Sequence, residues 1–136
     1  MNKKGFTLIE VIGAVIVIGL IATVAVPGVS KYIQKGRLTT FLTYEDSMED
    51  AATNAVLDCI GSNSRNCDVP EKGKITNIKL KNLIEDGFID EMKSTDAGKC
   101  DMEKSFVRVE NKGNLNYKFT VCLYCDSYTS DNDICK

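Results

Sequence analysis

The apolar positions of this chain fall into two regimes. From Phe6 to Val29 the sequence is almost unbroken in aliphatic residues, and the nineteen positions Val11 to Val29 carry no charge. Beyond Ser30 the apolar positions thin to Ile33, Phe41, Met48, Ala52, Ala55, Val56, Cys59 and Ile60, mostly three, four or seven apart, which is the stripe of an amphipathic helix. Asp46, Glu49, Asp50, Lys31, Lys35 and Arg37 lie mostly off that stripe. The two regimes join without a break that would stop a helix, so one long helix is predicted from Phe6 to Ile60, with Gly61 as its stop.

After a turn-rich connection over residues 61–74, Thr76 is predicted to cap a short helix that turns Leu80, Leu83 and Ile84 inward and ends at Gly87, with Phe88 and Ile89 packing back. Two stretches then alternate, Phe106 to Glu110 and Leu115 to Tyr124. The second places Leu115, Tyr117, Phe119, Val121 and Leu123 on one face, and Asn111-Lys-Gly-Asn114 joins the two as a hairpin. Residues 88–100 could supply a further strand, on a poor pattern. The simplest closure lays one apolar sheet face over the helix stripe, giving an α+β fold of a long N-terminal helix on a small antiparallel sheet.

The first helical half has the properties of a membrane segment. Its 24 residues from Phe6 to Val29 would span roughly 36 Å, more than a hydrocarbon core of about 30 Å. Lys3 and Lys4 precede it, which keeps the N-terminus on the cytoplasmic side and directs residues after about Ser30 outward. No A-x-A tripeptide follows the apolar region, so cleavage at its far end is not expected. A plain anchor satisfies all of this. It does not explain Glu10, because a carboxylate inside an apolar segment costs about 2.5 to 3.5 kcal/mol and calls for a partner. Pro27 followed by Gly28 removes a helix hydrogen bond, and a kink or local unwinding is expected there.

Lys4-Gly5-Phe6-Thr7-Leu8-Ile9-Glu10 resembles the cleavage and methylation motif of type IV prepilins and of type II secretion pseudopilins. The likeness extends through the apolar helix and Pro27, over roughly residues 1–60. It implies a pilin-like fold with residues 1–5 as leader, 6–29 as transmembrane and polymerisation helix, and 30–136 as the exposed globular domain. It further implies scission between Gly5 and Phe6 by a prepilin peptidase, N-methylation of Phe6, and pairing of Glu10 with the Phe6 amine of a neighbouring subunit. The partners implied are other pilin subunits, the peptidase, the assembly machinery and the membrane. The expected location is the cell membrane and then a surface pilus. The rival readings are a secretion pseudopilin, which shares the motif, and a membrane-anchored binding module that never polymerises.

Composition narrows the chemistry. There is no histidine, which removes the commonest general base and metal ligand, and neither an enzyme nor a cofactor is expected. Of 17 Lys+Arg and 19 Asp+Glu, setting aside Lys3, Lys4 and Glu10 leaves 15 against 18 beyond the apolar segment, a balance that does not predict a nucleic-acid surface. The six cysteines, Cys59, Cys67, Cys100, Cys122, Cys125 and Cys135, fit an oxidising compartment. Cys122-Leu-Tyr-Cys125 could be a redox pair or half a zinc site, but at the end of a strand residues three apart point to opposite faces, so separate disulfides are predicted. Cys59 with Cys67 is the most local pairing. The other four are expected to fasten the C-terminal tail, in an arrangement left open among the 15 possible connectivities. Asp126, Asp131, Asn132 and Asp133 lack the spacing of a calcium loop and read as solvated.

Overall fold

In the computed structural model, residues 5–62, 69–92 and 98–136 are described, and for residues 24–27 the backbone only. Helix α1 runs Leu8–Ser62, 55 residues, close to the predicted span. Its end lies past Gly61, because a single glycine costs a helix only about 1 kcal/mol and does not by itself terminate it. The chain divides into two units, Met1–Arg37 and Leu38–Lys136.

In the first unit the described apolar side chains find no interior. Phe6 is 87% exposed and every large apolar residue from Leu8 to Ile21 is at least half exposed. No single helix among the described residues is long and apolar enough to cross a membrane. Leu8–Thr23 and Gly28–Ser62 qualify together, across a bend of 48° that falls where the sequence carries Pro27-Gly28.

In the second unit the predicted stripe is the buried one. Phe41, Met48, Ala52 and Val56 are buried, Ala51 joins them, and Asp46, Glu49 and Asp50 face solvent. Ile60, expected on the stripe, is largely exposed at the last turn. Against the stripe lies a three-stranded antiparallel sheet, β1 (Ile75–Lys79), β2 (Phe106–Gly113) and β3 (Asn116–Cys122), in the order β1-β2-β3. Val107 pairs with Val121 and Val109 with Phe119, so the inward residues of both strands share the face turned to α1. Met48, Leu80, Leu83, Val107, Val109 and Leu123 close this core.

Strand β1 replaces the predicted Thr76 cap. Ile75–Lys79 pairs residue for residue with Phe106–Glu110, and helix α2 (Leu80–Glu85) starts only after Lys79, with no side-chain cap. Ladder hydrogen bonds along five residues outweigh the single bond a threonine cap supplies. The helix end is as expected. Gly87 has φ +77, its N–H donates to the Ile84 carbonyl, and Phe88 N–H donates to that of Leu83. Phe88 and Ile89 pack on the core.

The β2–β3 turn also differs from expectation. The loop is Asn114-Leu115, both with positive φ (55° and 59°), and Leu115 is 77% exposed rather than inward. A two-residue turn that matches strand twist needs left-handed backbone at both positions, which takes Leu115 out of the alternation. The proposed strand within 88–100 is not formed among the described residues, although Cys100 makes an isolated bridge to Cys125. Residues 93–97 lie outside the described set, as do 63–68 of the predicted connection.

Beyond Leu123 the chain forms a short second ribbon, β4 (Tyr124–Cys125) with β5 (Tyr128–Thr129), then a 3-10 turn at Asp133–Cys135. Tyr128 stacks on Phe41 of α1 with ring centroids 4.6 Å apart, and its hydroxyl donates to Glu45 at 3.0 Å. The Ser130 hydroxyl also donates to Glu45 and accepts from Leu123 N–H at 2.7 Å. Burial and the Glu45 carboxylate together push the Tyr128 phenol up to about 12. Glu45 is therefore the polar anchor by which the C-terminal ribbon holds to the helix.

Candidate processing and assembly site

Gly5, Phe6 and Thr7 precede α1 without regular structure and are exposed, and nothing lies within 4 Å of where a Gly5 side chain would be. The Gly5-Phe6 bond is thus presented on open backbone one residue ahead of the helix cap. Lys3 and Lys4 lie outside the described residues.

Thr7 is the residue before the first helical position, and Glu10 stands three residues later. The Thr7 backbone N–H and hydroxyl each donate to the same Glu10 carboxylate oxygen at 2.9 Å, while the Thr7 carbonyl accepts from Glu10 N–H at 3.1 Å. This is the reach-back half of a capping box, and Thr-x-x-Glu is its sequence signature. Glu10 therefore has a partner in its own chain, which the sequence reading did not foresee although the signal was present. The carboxylate also stands in the first turn, where the helix dipole favours negative charge. Each oxygen of a carboxylate has two lone pairs, so Glu10 keeps the capacity to accept from a further cation.

Pro27 lies within α1, and its side chain is outside the described residues. Thr23, four residues before it, turns its hydroxyl to the Leu20 carbonyl at 2.8 Å, a local bond that loosens helix ladders.

The cysteines form separate bridges. Cys100 pairs with Cys125 and Cys122 with Cys135, across 25 and 13 residues of sequence. The two members of the C-x-x-C therefore point to different partners, as strand geometry requires. Cys59 is also disulfide-bonded, and Cys67 lies outside the described residues. The Cys100–Cys125 bridge is flanked by backbone bonds from Asp101 to Tyr124 at 2.7 Å and from Asp126 to Lys99 at 3.0 Å, so it fastens the β4–β5 ribbon to residues 99–101. Cys122–Cys135 ties the tail to β3. In the oxygen-rich tail, Asp126 accepts from Lys99 N–H at 3.0 Å, and Lys136 reaches Asp131 at 3.2 Å and Asp133 at 3.8 Å.

Residues 1–26 match the family described as the prokaryotic N-terminal methylation motif. A type IV major fimbrial protein FimA of Dichelobacter nodosus is 28% identical over 116 residues, 83% of this chain and 69% of that protein. A fimbrial protein of Pseudomonas aeruginosa is 34% identical over 56 residues, 41% of this chain and 36% of that protein. No solved structure gives a significant match. A match to the N-terminal methylation motif here stands ahead of a long helix on a small antiparallel sheet. The chain is thus similar to type IV fimbrial proteins in its N-terminal motif and, at 28% identity, over most of its length.

Proposed function

We propose that the chain is a structural subunit of a type IV pilus. It is inserted in the cell membrane as a single-pass prepilin, cut between Gly5 and Phe6 by a prepilin peptidase, methylated on Phe6, and packed by the assembly machinery into a surface filament. The observation that carries this is the apolar run from Phe6 to Ile33, whose described large apolar members are all at least half exposed. Roughly 25 cal/mol for each Å² of apolar surface left in water makes that state untenable for a free soluble protein. Lipid first and neighbouring copies afterwards cover the same surface.

Glu10 in this reading serves twice, capping α1 in its own chain and facing the Phe6 amine that cleavage creates on a neighbour. Pro27 sits where the packed helix needs to depart from regularity. The disulfide-fastened domain from residue 38 onward forms the exposed surface, and the role is structural rather than enzymatic. Mass spectrometry of material sheared from the cell surface tests this reading. The expected chain begins at N-methyl Phe6 and lacks Met1 to Gly5, whereas an intact leader in sheared material, or scission after residue 30, defeats it.

A further inference from the structure

The end of the β2–β3 hairpin carries an apolar side chain where the backbone least favours one. Leu115 occupies left-handed φ at the turn and stands 77% exposed, a place where asparagine or glycine is the ordinary choice. Lys112 and Lys118 flank it, both exposed and without an ion pair among the described residues, and Glu110 lies opposite Lys118 across the strands. The tip is an apolar knob between two cations.

The same unit holds a surface with exposed leucines and charge of opposite sign. Leu38, Leu42, Asp46 and Glu49 follow one another along α1 at spacings of four, four and three, so they share one face of the helix. Leu38 and Leu42 are 48% and 47% exposed, Asp46 and Glu49 face solvent, and neither carboxylate has an ion pair among the described residues. Within its own chain the knob cannot reach Leu38 and Leu42, although Glu49 stands only one turn of α1, about 6 Å, from Thr53. Leu115 lies beside Thr53, Val56 and Leu57, and Leu57 is 15 residues, about 22 Å, further along α1 than Leu42.

We propose that the hairpin tip of one copy docks on the helix face of a second copy, with Leu115 against Leu38 and Leu42 and with Lys112 and Lys118 against Asp46 and Glu49. The two surfaces differ, so the contact is head-to-tail and repeats from copy to copy without closing on a pair, as a filament requires. The inference rests on the filament reading only in taking copies to stand side by side. It adds a contact between exposed domains that orients one subunit on the next, and opposite charge at such a contact sets register and rejects wrong alignments.

The test combines charge exchange with a photo-reactive residue, both in the full chain in its native cell. Lys112→Glu with Lys118→Glu should reduce surface fibres about tenfold or more at unchanged membrane level, because like charges then face each other. Asp46→Lys with Glu49→Lys should do the same, and the four changes together should restore fibres. A photo-reactive amino acid at position 115 should cross-link to the peptide containing residues 38–49 of a second copy. Fibres unaffected by either reversal, or a fourfold variant no better than its parents, overturn the contact. So does cross-linking of position 115 to nucleic acid, polysaccharide or a different protein. If the unaltered chain forms no fibres, the pilus reading fails by itself, and the cross-link in the membrane still decides whether the tip meets residues 38–49 of another copy.

Discussion

Glu10→Val is expected to leave the chain in the membrane at normal level and to abolish surface fibres. In the bilayer, valine replaces a carboxylate whose insertion costs about 2.5 to 3.5 kcal/mol, so insertion becomes easier. Two effects oppose this. The first is local: the Thr7 N–H and hydroxyl lose the acceptor they share at 2.9 Å, and caps of this kind contribute about 0.5 to 2 kcal/mol. That frays one turn of a 55-residue helix and does not unfold it. The second arises in the proposed filament, where loss of the proposed pairing leaves the Phe6 ammonium of a neighbour without its counter-charge. Breaking a buried pair by deleting one member costs about 3 to 5 kcal/mol and recurs at each subunit.

Glu10→Gln separates the two effects. The amide oxygen still accepts from Thr7, so the cap survives, but the negative charge is gone. Both variants should lack fibres, as judged by electron microscopy of cells whose membrane content of the subunit is matched by immunoblot. Normal fibres from the Gln variant alone would show that the cap, not the charge, is what assembly uses. Normal fibres from both would remove Glu10 from assembly altogether.

Converting Cys122 and Cys135 together to alanine is expected to lower the melting temperature of the exposed domain by roughly 10 to 20 °C. The bridge closes 13 residues of sequence, and a loop near that size stabilises by about 3 kcal/mol through the unfolded chain. For a domain of about 100 residues each kcal/mol moves the midpoint by about 4 to 8 °C. The folded state loses in addition, because both half-cystines are buried where β3 meets the tail. The Tyr124 hydroxyl donates to the Cys135 carbonyl at 2.7 Å, and without the bridge only such bonds hold the last turn. The check is thermal denaturation of the detergent-purified chain by circular dichroism. A fall of less than about 3 °C would mean that the core under the sheet, and not the bridge, holds the tail.

The fold was legible in the sequence wherever one period ran long enough to be unambiguous. The helix stripe through Phe41, Met48, Ala52 and Val56 and the alternation of Tyr117, Phe119, Val121 and Leu123 each repeat several times; the stripe is buried, and the strand residues turn to the core with Leu123 buried and the other three half-buried. Legibility ended where a segment was short or where tertiary pairing decided. Ile75–Lys79 buries only Ile78, which is too little to mark a strand, and its conformation follows from the β2 residues it pairs with. Leu115 continued the alternation in letters but belongs to the turn, because backbone twist rather than polarity sets the loop. Asn-Leu lacks the glycine that would have announced it.

The site divides in the same way. Glu10 stands out in any reading of hydropathy, Gly5-Phe6 is singled out only by the resemblance to the prepilin motif, and the Thr7-x-x-Glu10 box was readable from spacing alone. Glu45 was not. It sits among the charges of an exposed-looking helix stretch, and only the return of Tyr128 and Ser130, more than 80 residues later, makes it an anchor. Disulfide pairing also needed three dimensions, since adjacent cysteines at 122 and 125 go to partners on either side of them.

The claim that this chain builds a surface fibre is tested most directly by immunogold electron microscopy of intact native cells, using antibody raised against a peptide from the exposed domain. The account predicts gold in rows along filaments that extend from the cell, with labelling lost when the gene is deleted. Gold confined to the cell envelope, with filaments absent or unlabelled, would contradict it.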